Sequence, residues 1–473
     1  MSREKELVKN TIILSLGNFL PQLMSLITLP ILTAFMTKAE FGTYDLINTV
    51  VSLIMPIITI RMESAAFRFM IEYRNDQEKS SQVVSSILFF SMFSSIIVTV
   101  MSIFIFYPVS LRDKVLIIIY IIFHIVLADL MQIARGYSLN TRFSLAAIIN
   151  SIVYMFGTIL FIQIAQLGLT GVLLSLIVGE IIASLFLAFS IKLNKVFSHQ
   201  HFSMKMLKEM IQYSWPLVPN SLSLWVMNLS DRLIVTSFLG LEQNAVYTVA
   251  NKIPSLMGTA QGIFASAWQE NASIAISDED SDEYYSKMFE SFICVLTGIL
   301  SCLIGCSPIL FDLIIRGDYG ESHPQTAILF AGMFFSAISS FFGGIYVAHK
   351  HTKSVGMTTV VAALINFLIN ICFVKRIGLY AASISTLVSY AILTMYRMYD
   401  IQKFQKISYC YKKYLLCLGV VGIMCGIYYV DLLYLNILNF IAGVGIAFLL
   451  NRKLVLNIVK GLLKKMMRYT GGS

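Results

Sequence analysis

Charged residues are scarce in this sequence, and several familiar motifs are missing from it. Asp, Glu, Lys and Arg make up 13% of the 473 residues, whereas 57% of the residues are hydrophobic. Soluble domains are about one quarter charged, so this composition excludes an ordinary soluble protein. The sequence has no GxxxxGK[ST] motif, which argues against direct use of ATP. None of the seven cysteines belongs to a CxxC pair, which argues against a redox or zinc site.

The few charges are distributed as in a membrane protein. The net charge is +9, but the basic residues lie mostly between long apolar runs rather than in one patch. His199 with His201, and His349 with His351, lie in basic loops and are interpreted as solvated rather than metal-binding. We therefore expect membrane lipid as a partner, and we expect neither nucleic acid nor a metal or other cofactor.

Apolar runs of membrane-spanning length recur along the whole chain. A helix needs about 20 apolar residues to cross the hydrocarbon core, and the sequence contains fourteen such runs. They lie near residues 10–35, 44–62, 82–107, 114–136, 143–164, 168–190, 214–239, 245–268, 289–311, 326–348, 356–374, 379–399, 412–430 and 433–451. The predicted fold class is therefore all-α integral membrane, with 14 transmembrane helices.

The basic residues predict the orientation of these spans. With the amino terminus in the cytoplasm, the following six fall in external loops: Lys38, Arg112, Lys114, Arg316, Lys375 and Arg376. Three more fall within spans, namely Arg61, Arg232 and Lys252, so the remaining 26 of the 35 basic residues are cytoplasmic. This bias fits the positive-inside rule. Because the number of spans is even, both termini are predicted to be cytoplasmic.

The chain also repeats itself. The segment FMTKAEFGTYDLIN at 35–48 resembles FLGLEQNAVYTVAN at 238–251, with Tyr44 matching Tyr247 and Asn48 matching Asn251. An even number of spans per copy gives both copies the same orientation. We therefore predict two six-helix lobes of parallel repeat topology, followed by helices 13 and 14. The predicted limits are residues 1–200 for the N-lobe, 201–405 for an interfacial linker and the C-lobe, and 406–473 for helices 13–14 and a basic amphipathic tail.

Two segments outside the spans have the pattern of helices that lie on the inner leaflet. HFSMKMLKEMIQY at 201–213 and RKLVLNIVKGLLKKMMR at 452–468 both combine apolar and basic residues at helical spacing. The alternative for the second segment is a solvated basic tail.

Six of the nine prolines occur in the equivalent hairpins of the two copies. They are Pro21, Pro30, Pro56, Pro216, Pro219 and Pro254, in predicted spans 1, 2, 7 and 8. Proline removes a backbone hydrogen bond and bends a helix, so these hairpins are candidates for bending during transport. The alternative is that they are packing kinks.

Ionisable residues within spans are the candidate functional groups, because a charge in hydrocarbon is costly. Arg61 and Arg68 are seven residues apart and are expected to share one helix face. The arginine fork matches phosphate oxygens and keeps its charge, so we predict a site for a pyrophosphate or an acidic glycan. Its candidate residues are Arg61, Arg68, Arg232 and Lys252; the candidates for ion coupling or for orienting charges are Asp231, Asp129 and Glu180.

Internal salt bridges are the alternative explanation for these charges. Arg232 would then pair with an acid on a neighbouring helix, and Arg61 would pair with Glu63. Arg68 would lie at the cytoplasmic interface. The residues alone leave both explanations open.

The two hairpin segments resemble a known family. SLGNFLPQLMSLITLPILTAFMTKAEFGTYDLINTV followed by ESAAFRF is similar to the amino-terminal half of the Wzx-type polysaccharide flippases. SDRLIVTSFLGLEQNAVYTVANKI is similar to the matching motif of their second half. These flippases belong to the multidrug/oligosaccharidyl-lipid/polysaccharide exporter (MOP) superfamily. Where the first copy has Gly42, the second has Ala245, and we expect little effect because alanine fits a helix start.

The resemblance implies a function and a site. It implies a flippase, not an enzyme, that moves an undecaprenyl-pyrophosphate oligosaccharide across the bacterial cell membrane for capsule, O-antigen or exopolysaccharide synthesis. It also implies a central cationic cavity with alternating access, a lipid-tail groove at helices 13 and 14, and a polysaccharide polymerase as a partner. The four basic candidates would hold the pyrophosphate. Coupling to a sodium or proton gradient is left open.

Four other functions compete with this interpretation. A multidrug or cation antiporter of the same superfamily would need acidic residues in its first span, and the run 10–35 has none. A lipid II flippase would share the pyrophosphate chemistry. A polymerase or glycosyltransferase would need a large external loop or a carboxylate-rich motif, and the predicted external loops are generally shorter than 20 residues. A structural scaffold would have little use for charges inside spans.

Overall fold

The computed structural model describes residues 3–105, 110–276, 280–452 and 455–456, and the described residues form helices joined by short turns. No strand occurs among them. The chain folds into two compact units, which are residues 1–248 with 314–318, and residues 249–313 with 319–473.

The described part of the first unit contains ten α-helices and the start of an eleventh. They are α1 (Arg3–Phe35), α2 (Lys38–Ile58), α3 (Met62–Tyr73), α4 (Gln77–Ile105), α5 (Leu111–Gly136), α6 (Asn140–Thr158), α7 (Gly168–Ser190), α8 (Leu193–Val196), α9 (Met204–Ser214), α10 (Leu217–Leu239) and α11 (Leu241–Ala275). A π-helical turn, Ile159–Ile164, extends α6. α6 packs on α1 and α7, and α10 packs on α2. Small and flexible side chains such as Ala65, Ala66 and Met70 fill a core between α3, α4 and α5.

The described part of the second unit contains the remainder of α11 and six further helices. They are α12 (Ser281–Ile314), α13 (Ser322–Ala348), α14 (Thr352–Ile377), α15 (Tyr380–Asp400), α16 (Tyr411–Val430) and α17 (Leu433–Leu450). α15 packs against α13 and α14, and α16 against α13 and α17. The core is aromatic: Trp268 stacks on Phe341 with ring centroids 4.5 Å apart and donates its indole N–H to the Phe341 carbonyl at 2.8 Å.

Fourteen of these described helices coincide with the fourteen predicted spans. By length and composition ten of them can cross a membrane, namely α2, α4, α5, α6 with its π-helical turn, α7, α12, α13, α14, α16 and α17. In α1 the apolar stretch is the shorter segment Phe19–Phe35. α10, α11 and α15 fall outside the ten because polar side chains lower their hydropathy. The chain is thus a multi-pass helical membrane protein, and the number fourteen stays a prediction.

The compact units divide the chain at a different place from the predicted lobes. The division falls at Thr248 rather than at residue 200, because α10 packs on α2 and the start of α11 is hydrogen-bonded to α2 through Asn244 and the Gly42 carbonyl. The predicted lobes describe a sequence repeat rather than a compact unit, and they stay a prediction. α2 begins at Lys38 and α11 at Leu241, so the two helix starts keep the spacing of the repeat.

The second predicted span ends earlier than expected. α2 stops at Ile58, and Ile60 and Arg61 have left-handed backbone conformations with φ of 49° and 58° before α3 begins. A β-branched residue such as Ile60 is strained there. The expectation that Arg61 and Arg68 share one face of a continuous helix is therefore wrong. In the second copy, α11 runs without a break through the matching positions.

Four of the six prolines lie inside helices, and whether they bend these helices stays a prediction. Pro21 and Pro30 lie inside α1, Pro56 inside α2, and Pro254 inside α11. Pro216 and Pro219 lie before and in the first turn of α10, where a missing N–H breaks no helical hydrogen bond. The interpretation of those two as kinks inside a span is therefore wrong.

One of the two predicted amphipathic segments can be described. α9 covers most of residues 201–213; it buries Met206 and Met210 and exposes Lys205 and Lys208. Its apolar face is thus used in packing on the first unit, and contact of its basic face with lipid stays a prediction. Most of the segment 452–468 lies outside the described residues.

Candidate functional site

Arg232 forms an ion pair with an acid that the sequence interpretation overlooked. Its Nη1 donates to Oδ1 of Asp45 at 2.5 Å, and this pair joins α10 to α2. Asn244 completes the arrangement by donating from Nδ2 to Asp45 Oδ2 and to the Gly42 carbonyl, both at 3.2 Å. The Asp45 side chain is 7% exposed and that of Arg232 22% exposed. The acid is thus buried and satisfied, while the guanidinium remains reachable.

Asp231 has a separate partner from its neighbour. Successive residues of a helix point about 100° apart, so Asp231 and Arg232 cannot face the same way. Asp231 is buried and accepts a hydrogen bond from the Tyr247 hydroxyl at 3.1 Å. This contact ties α10 to α11, and it makes Asp231 a link between helices rather than a partner of Arg232.

A glycine permits the close approach that builds the Arg232 pair. A Cβ atom on Gly42 would lie 1.9 Å from the Leu241 carbonyl oxygen, so only glycine allows α2 and α11 to meet here. The turn before α2 is fixed by a capping box in which Thr37 Oγ1 accepts from the Glu40 N–H and Glu40 accepts from the Thr37 N–H. The equivalent turn ends α10 at Gly240, whose φ is 92°. These turns place Asp45 and Asn244 side by side.

Arg61 lies at the break between α2 and α3. Its Nη1 is 3.0 Å from Oε1 of Glu63, and its Nη2 donates to the Ser64 hydroxyl at 3.1 Å. The Thr59 hydroxyl donates to the second oxygen of Glu63 at 3.3 Å. The Arg61–Glu63 salt bridge proposed as an alternative is thus present. Arg61 Nε is buried and has no hydrogen-bond partner among the described residues.

Arg68 and Lys252 lie on helices other than α10, which carries Arg232. Arg68 is in α3 and pairs with Glu72 one turn later at 3.4 Å, with both side chains about half exposed. Lys252 is in α11 and belongs to the second unit, whereas Arg61, Arg68 and Arg232 belong to the first. The shared site for all four basic residues stays a prediction.

The two other acidic candidates are buried in the first unit. Asp129 of α5 accepts a hydrogen bond from the Ser91 hydroxyl of α4. Glu180 of α7 pairs with His124 of α5, with Oε1 and Nδ1 2.6 Å apart. Both acids therefore join neighbouring helices, and they do so with partners that carry no permanent charge.

A further buried cation, Arg397, was counted as cytoplasmic in the sequence interpretation. It is 4% exposed at the end of α15. It donates to the Ser339 carbonyl at 2.8 Å and to the hydroxyls of Thr358 and Thr359, each at 3.0 Å. No carboxylate pairs with it among the described residues. Arg397 therefore anchors α15 to α13 and α14 through neutral acceptors.

We expect Arg397→Met to destabilise the protein by about 2 kcal/mol, because it leaves buried carbonyl and hydroxyl groups without donors. Arg397→Lys should recover little of this loss, since one ammonium cannot reproduce the planar fork. Thermal unfolding in detergent measures both effects. Arg376→Met, which changes an exposed arginine at the end of α14, is the matched control. An unchanged midpoint for Arg397→Met would contradict the anchoring role.

The second unit also contains an aromatic cavity. It has a volume of about 710 Å³ and lies between α13, α15 and α16, with Tyr409, Tyr411 and Tyr414 among its lining residues. No charged side chain lines it among the residues that the structure describes, so it does not suit a phosphate group. Whether α16 and α17 hold a lipid tail, as the resemblance implies, stays a prediction.

The fold of this chain is also found in solved structures of membrane transporters. The lipid II flippase MurJ, in an inward closed conformation, matches over 95% of this chain and 100% of its own length, with a TM-score of 0.69 and 16% identity. A MOP superfamily transporter from Pyrococcus furiosus matches over 84% of this chain and 95% of its own, with a TM-score of 0.59 and 15% identity. A MATE structure in complex with MaL6 matches over 84% and 96%, with a TM-score of 0.57 and 14% identity. These similarities show the MOP transporter fold.

The sequence itself shows to which family the chain belongs. The pattern of the family described as "Polysaccharide biosynthesis protein" matches residues 7–270, which is more than half of the 473 residues. The chain belongs to that family. A comparison with curated proteins gave no significant match. The resemblance drawn from the two hairpin segments is thus confirmed for the family and for the superfamily fold.

Proposed function

We propose that this protein is a flippase for undecaprenyl-pyrophosphate-linked oligosaccharide repeat units. It moves them from the inner to the outer leaflet of the bacterial cytoplasmic membrane by alternating access, for surface polysaccharide synthesis. Both termini lie in the cytoplasm, and a polysaccharide polymerase consumes the product. Membership of the polysaccharide biosynthesis family supports the glycan class.

The observation that carries the proposal is the Arg232–Asp45 pair. Arg232 has a permanently charged fork, is partly exposed, and is held by one acid at 2.5 Å. A pyrophosphate oxygen can compete with a carboxylate for such a fork, because both accept charge-assisted hydrogen bonds in the same geometry. A site of this kind binds an anionic head group and releases it again, since Asp45 stabilises Arg232 when the substrate leaves.

The alternatives differ in the substrate that this pair would hold. A multidrug or cation antiporter would present acids rather than an exposed guanidinium to its substrate. A lipid II flippase would use the same phosphate chemistry, and the MurJ similarity is one of fold. The choice between an undecaprenyl-linked repeat unit and lipid II therefore depends on the glycan, which only a transport measurement separates.

Transport in liposomes tests the proposal. The purified protein is reconstituted with a fluorescent undecaprenyl-pyrophosphate oligosaccharide, and a membrane-impermeant quencher reports how much label lies in the outer leaflet. We expect protein-dependent equilibration of this glycolipid, and slower movement of lipid II. Efflux of small organic cations without glycolipid movement would overturn the proposal, and preferential movement of lipid II would assign the rival substrate.

A further inference from the structure

The first unit contains a second buried pair whose charge is set by a proton. His124 of α5 and Glu180 of α7 approach to 2.6 Å between Nδ1 and Oε1. Glu180 is 4% exposed, and its Oε2 is buried without a hydrogen-bond partner among the described residues. The His124 side chain is 40% exposed. A buried carboxylate is thus paired with a partly exposed imidazole.

This pair differs in kind from the Arg232–Asp45 pair. Arginine stays charged, so Arg232 always neutralises Asp45. Histidine is charged only when it binds a proton, so His124 and Glu180 together carry a net charge of −1 without a shared proton and 0 with it. A buried carboxylate with one unpaired oxygen is costly while ionised. Binding a proton removes that cost.

A metal cation fits this site poorly. Hard cations take six or more oxygen ligands, whereas the pair offers one unpartnered carboxylate oxygen and an imidazole. No group of three or more His, Cys, Asp or Glu residues able to hold a metal occurs in the described part of the chain. A proton needs only the two groups that are present.

The pair is connected to α2 by a series of contacts, of which the first is a ring contact and the next two are hydrogen bonds. The ring of Tyr120 lies 5.6 Å from that of His124, measured between centroids. The Tyr120 hydroxyl donates to Asn48 Oδ1 at 3.0 Å, and Asn48 Nδ2 donates to the Tyr44 carbonyl at 3.2 Å. Tyr44 is the residue before Asp45 on α2, so the series ends beside the acid that holds Arg232.

The polar side chains nearest the pair are neutral, and the charged residues of the network, Asp45 and Arg232, are reached only through these neutral side chains. α6 contributes Tyr154, whose hydroxyl lies 3.2 Å from that of Tyr44, and Asn150, whose side-chain oxygen lies close to Gly179. α5 contributes Tyr120, and α2 contributes Tyr44 with Asp45. Among the described residues, Arg232 is the permanent cation in contact with this network, through Asp45. Neither Tyr154 nor Asn150 supplies a charge that would replace the proton.

We propose that His124 and Glu180 form the proton-coupling site of this transporter, and that Tyr120 and Asn48 link it to α2 and so to the Arg232 site. This inference rests on the proposed function and adds the coupling ion and its residues. One proton binds the pair from the outside, is carried with the conformational change, and is released to the cytoplasm, while the glycolipid moves outward. Coupling is reciprocal, so binding of the anionic head group at Arg232 changes the proton affinity of the pair by the same factor as protonation changes head-group affinity.

The distribution of glycolipid between leaflets tests this inference. Liposomes are prepared one pH unit more acidic on the side equivalent to the cell exterior, and the labelled glycolipid is followed to equilibrium. With one proton per glycolipid, we expect wild-type protein to shift the leaflet ratio by about 10-fold, because one pH unit is a tenfold ratio of proton activity. Glu180→Gln should still equilibrate the glycolipid but give a ratio near one. Tyr120→Phe should reduce the shift, because it removes the link to Asn48.

Controls and a second readout separate failure of the coupling from failure of the flippase. Glu290→Gln, at a half-exposed acid paired with Lys413, should keep the wild-type ratio. Infrared difference spectra of the protein in nanodiscs, recorded against pH without glycolipid, should show a carboxyl band that Glu180→Gln removes and Tyr120→Phe retains.

Equal ratios for wild type and Glu180→Gln, or accumulation driven by sodium alone, would overturn the coupling inference and leave the flippase standing. If wild-type protein does not move the glycolipid, the proposed function fails. In that case the infrared carboxyl band alone tests whether Glu180 binds a proton, and absence of the band would overturn the proton site as well.

Discussion

Replacing Arg232 by Ala is expected to lower glycolipid translocation by about 10- to 100-fold, since one charge-assisted hydrogen bond is worth about 1.5–3 kcal/mol. The substitution removes the guanidinium that we propose holds the pyrophosphate. It also leaves Asp45 buried beside Asn244 without a cation. The liposome assay with labelled undecaprenyl-pyrophosphate oligosaccharide measures the loss, and the amount of folded protein is measured in parallel.

Changing the partner separates the substrate site from a structural salt bridge. Asp45→Asn keeps an acceptor for Asn244 and frees Arg232 from its competitor, so we expect translocation within a few-fold of wild type and tighter binding of the glycolipid. The double variant Asp45→Asn with Arg232→Gln removes both charges. It should regain the stability lost in Arg232→Ala, because no unpaired charge remains buried, and it should not regain translocation.

Two outcomes would contradict the role of Arg232. Normal translocation by Arg232→Ala would show that the guanidinium does not contact substrate. Equal loss in Asp45→Asn and Arg232→Ala, with equal loss of stability, would mean that the pair only holds α2 against α10.

The positions of the helices were largely predictable, because apolar periodicity and length are local properties. The hairpin at Thr37 and the turn at Gly240 could also be read from the sequence, since a capping box and a glycine after a helix have fixed chemical patterns. The break at Ile60 and Arg61 could not be predicted in this way. A left-handed isoleucine is locally unfavourable, so it exists only because the surrounding packing imposes it.

The site was predictable in its residue types and not in its pairs. Arg232 and Glu180 stood out because ionisable groups inside spans are costly. Their partners, Asp45 and His124, depend on which helix faces which, and that is set by tertiary contacts. Asp45 did offer a signal, since it is an acid near the start of a predicted span, but nothing local connects it to a residue 187 positions away.

The second large effect is expected from Gly42→Ala. This substitution should destabilise the protein by about 1–3 kcal/mol, as overpacking does. It should also lower glycolipid translocation by at least the factor that this loss of stability alone would give. The added Cβ would lie 1.9 Å from the Leu241 carbonyl oxygen and 2.7 Å from its carbonyl carbon. These are backbone atoms that cannot rotate away, so the starts of α2 and α11 must separate. The hydrogen bonds of Asp45 with Asn244 at 3.2 Å and with Arg232 at 2.5 Å are then broken. Thermal unfolding and the liposome assay measure the two effects.

Gly419→Ala is the matched control for this change. Gly419 lies in α16, and a Cβ there would meet nothing within 4 Å. Alanine at such a position is expected to stabilise a helix by about 0.5–1 kcal/mol relative to glycine, so the two identical substitutions should act with opposite sign. If Gly42→Ala also stabilised the protein and left translocation unchanged, α2 and α11 would not be in contact in the working transporter. The Asp45–Arg232–Asn244 arrangement would then belong to a conformation that transport does not require.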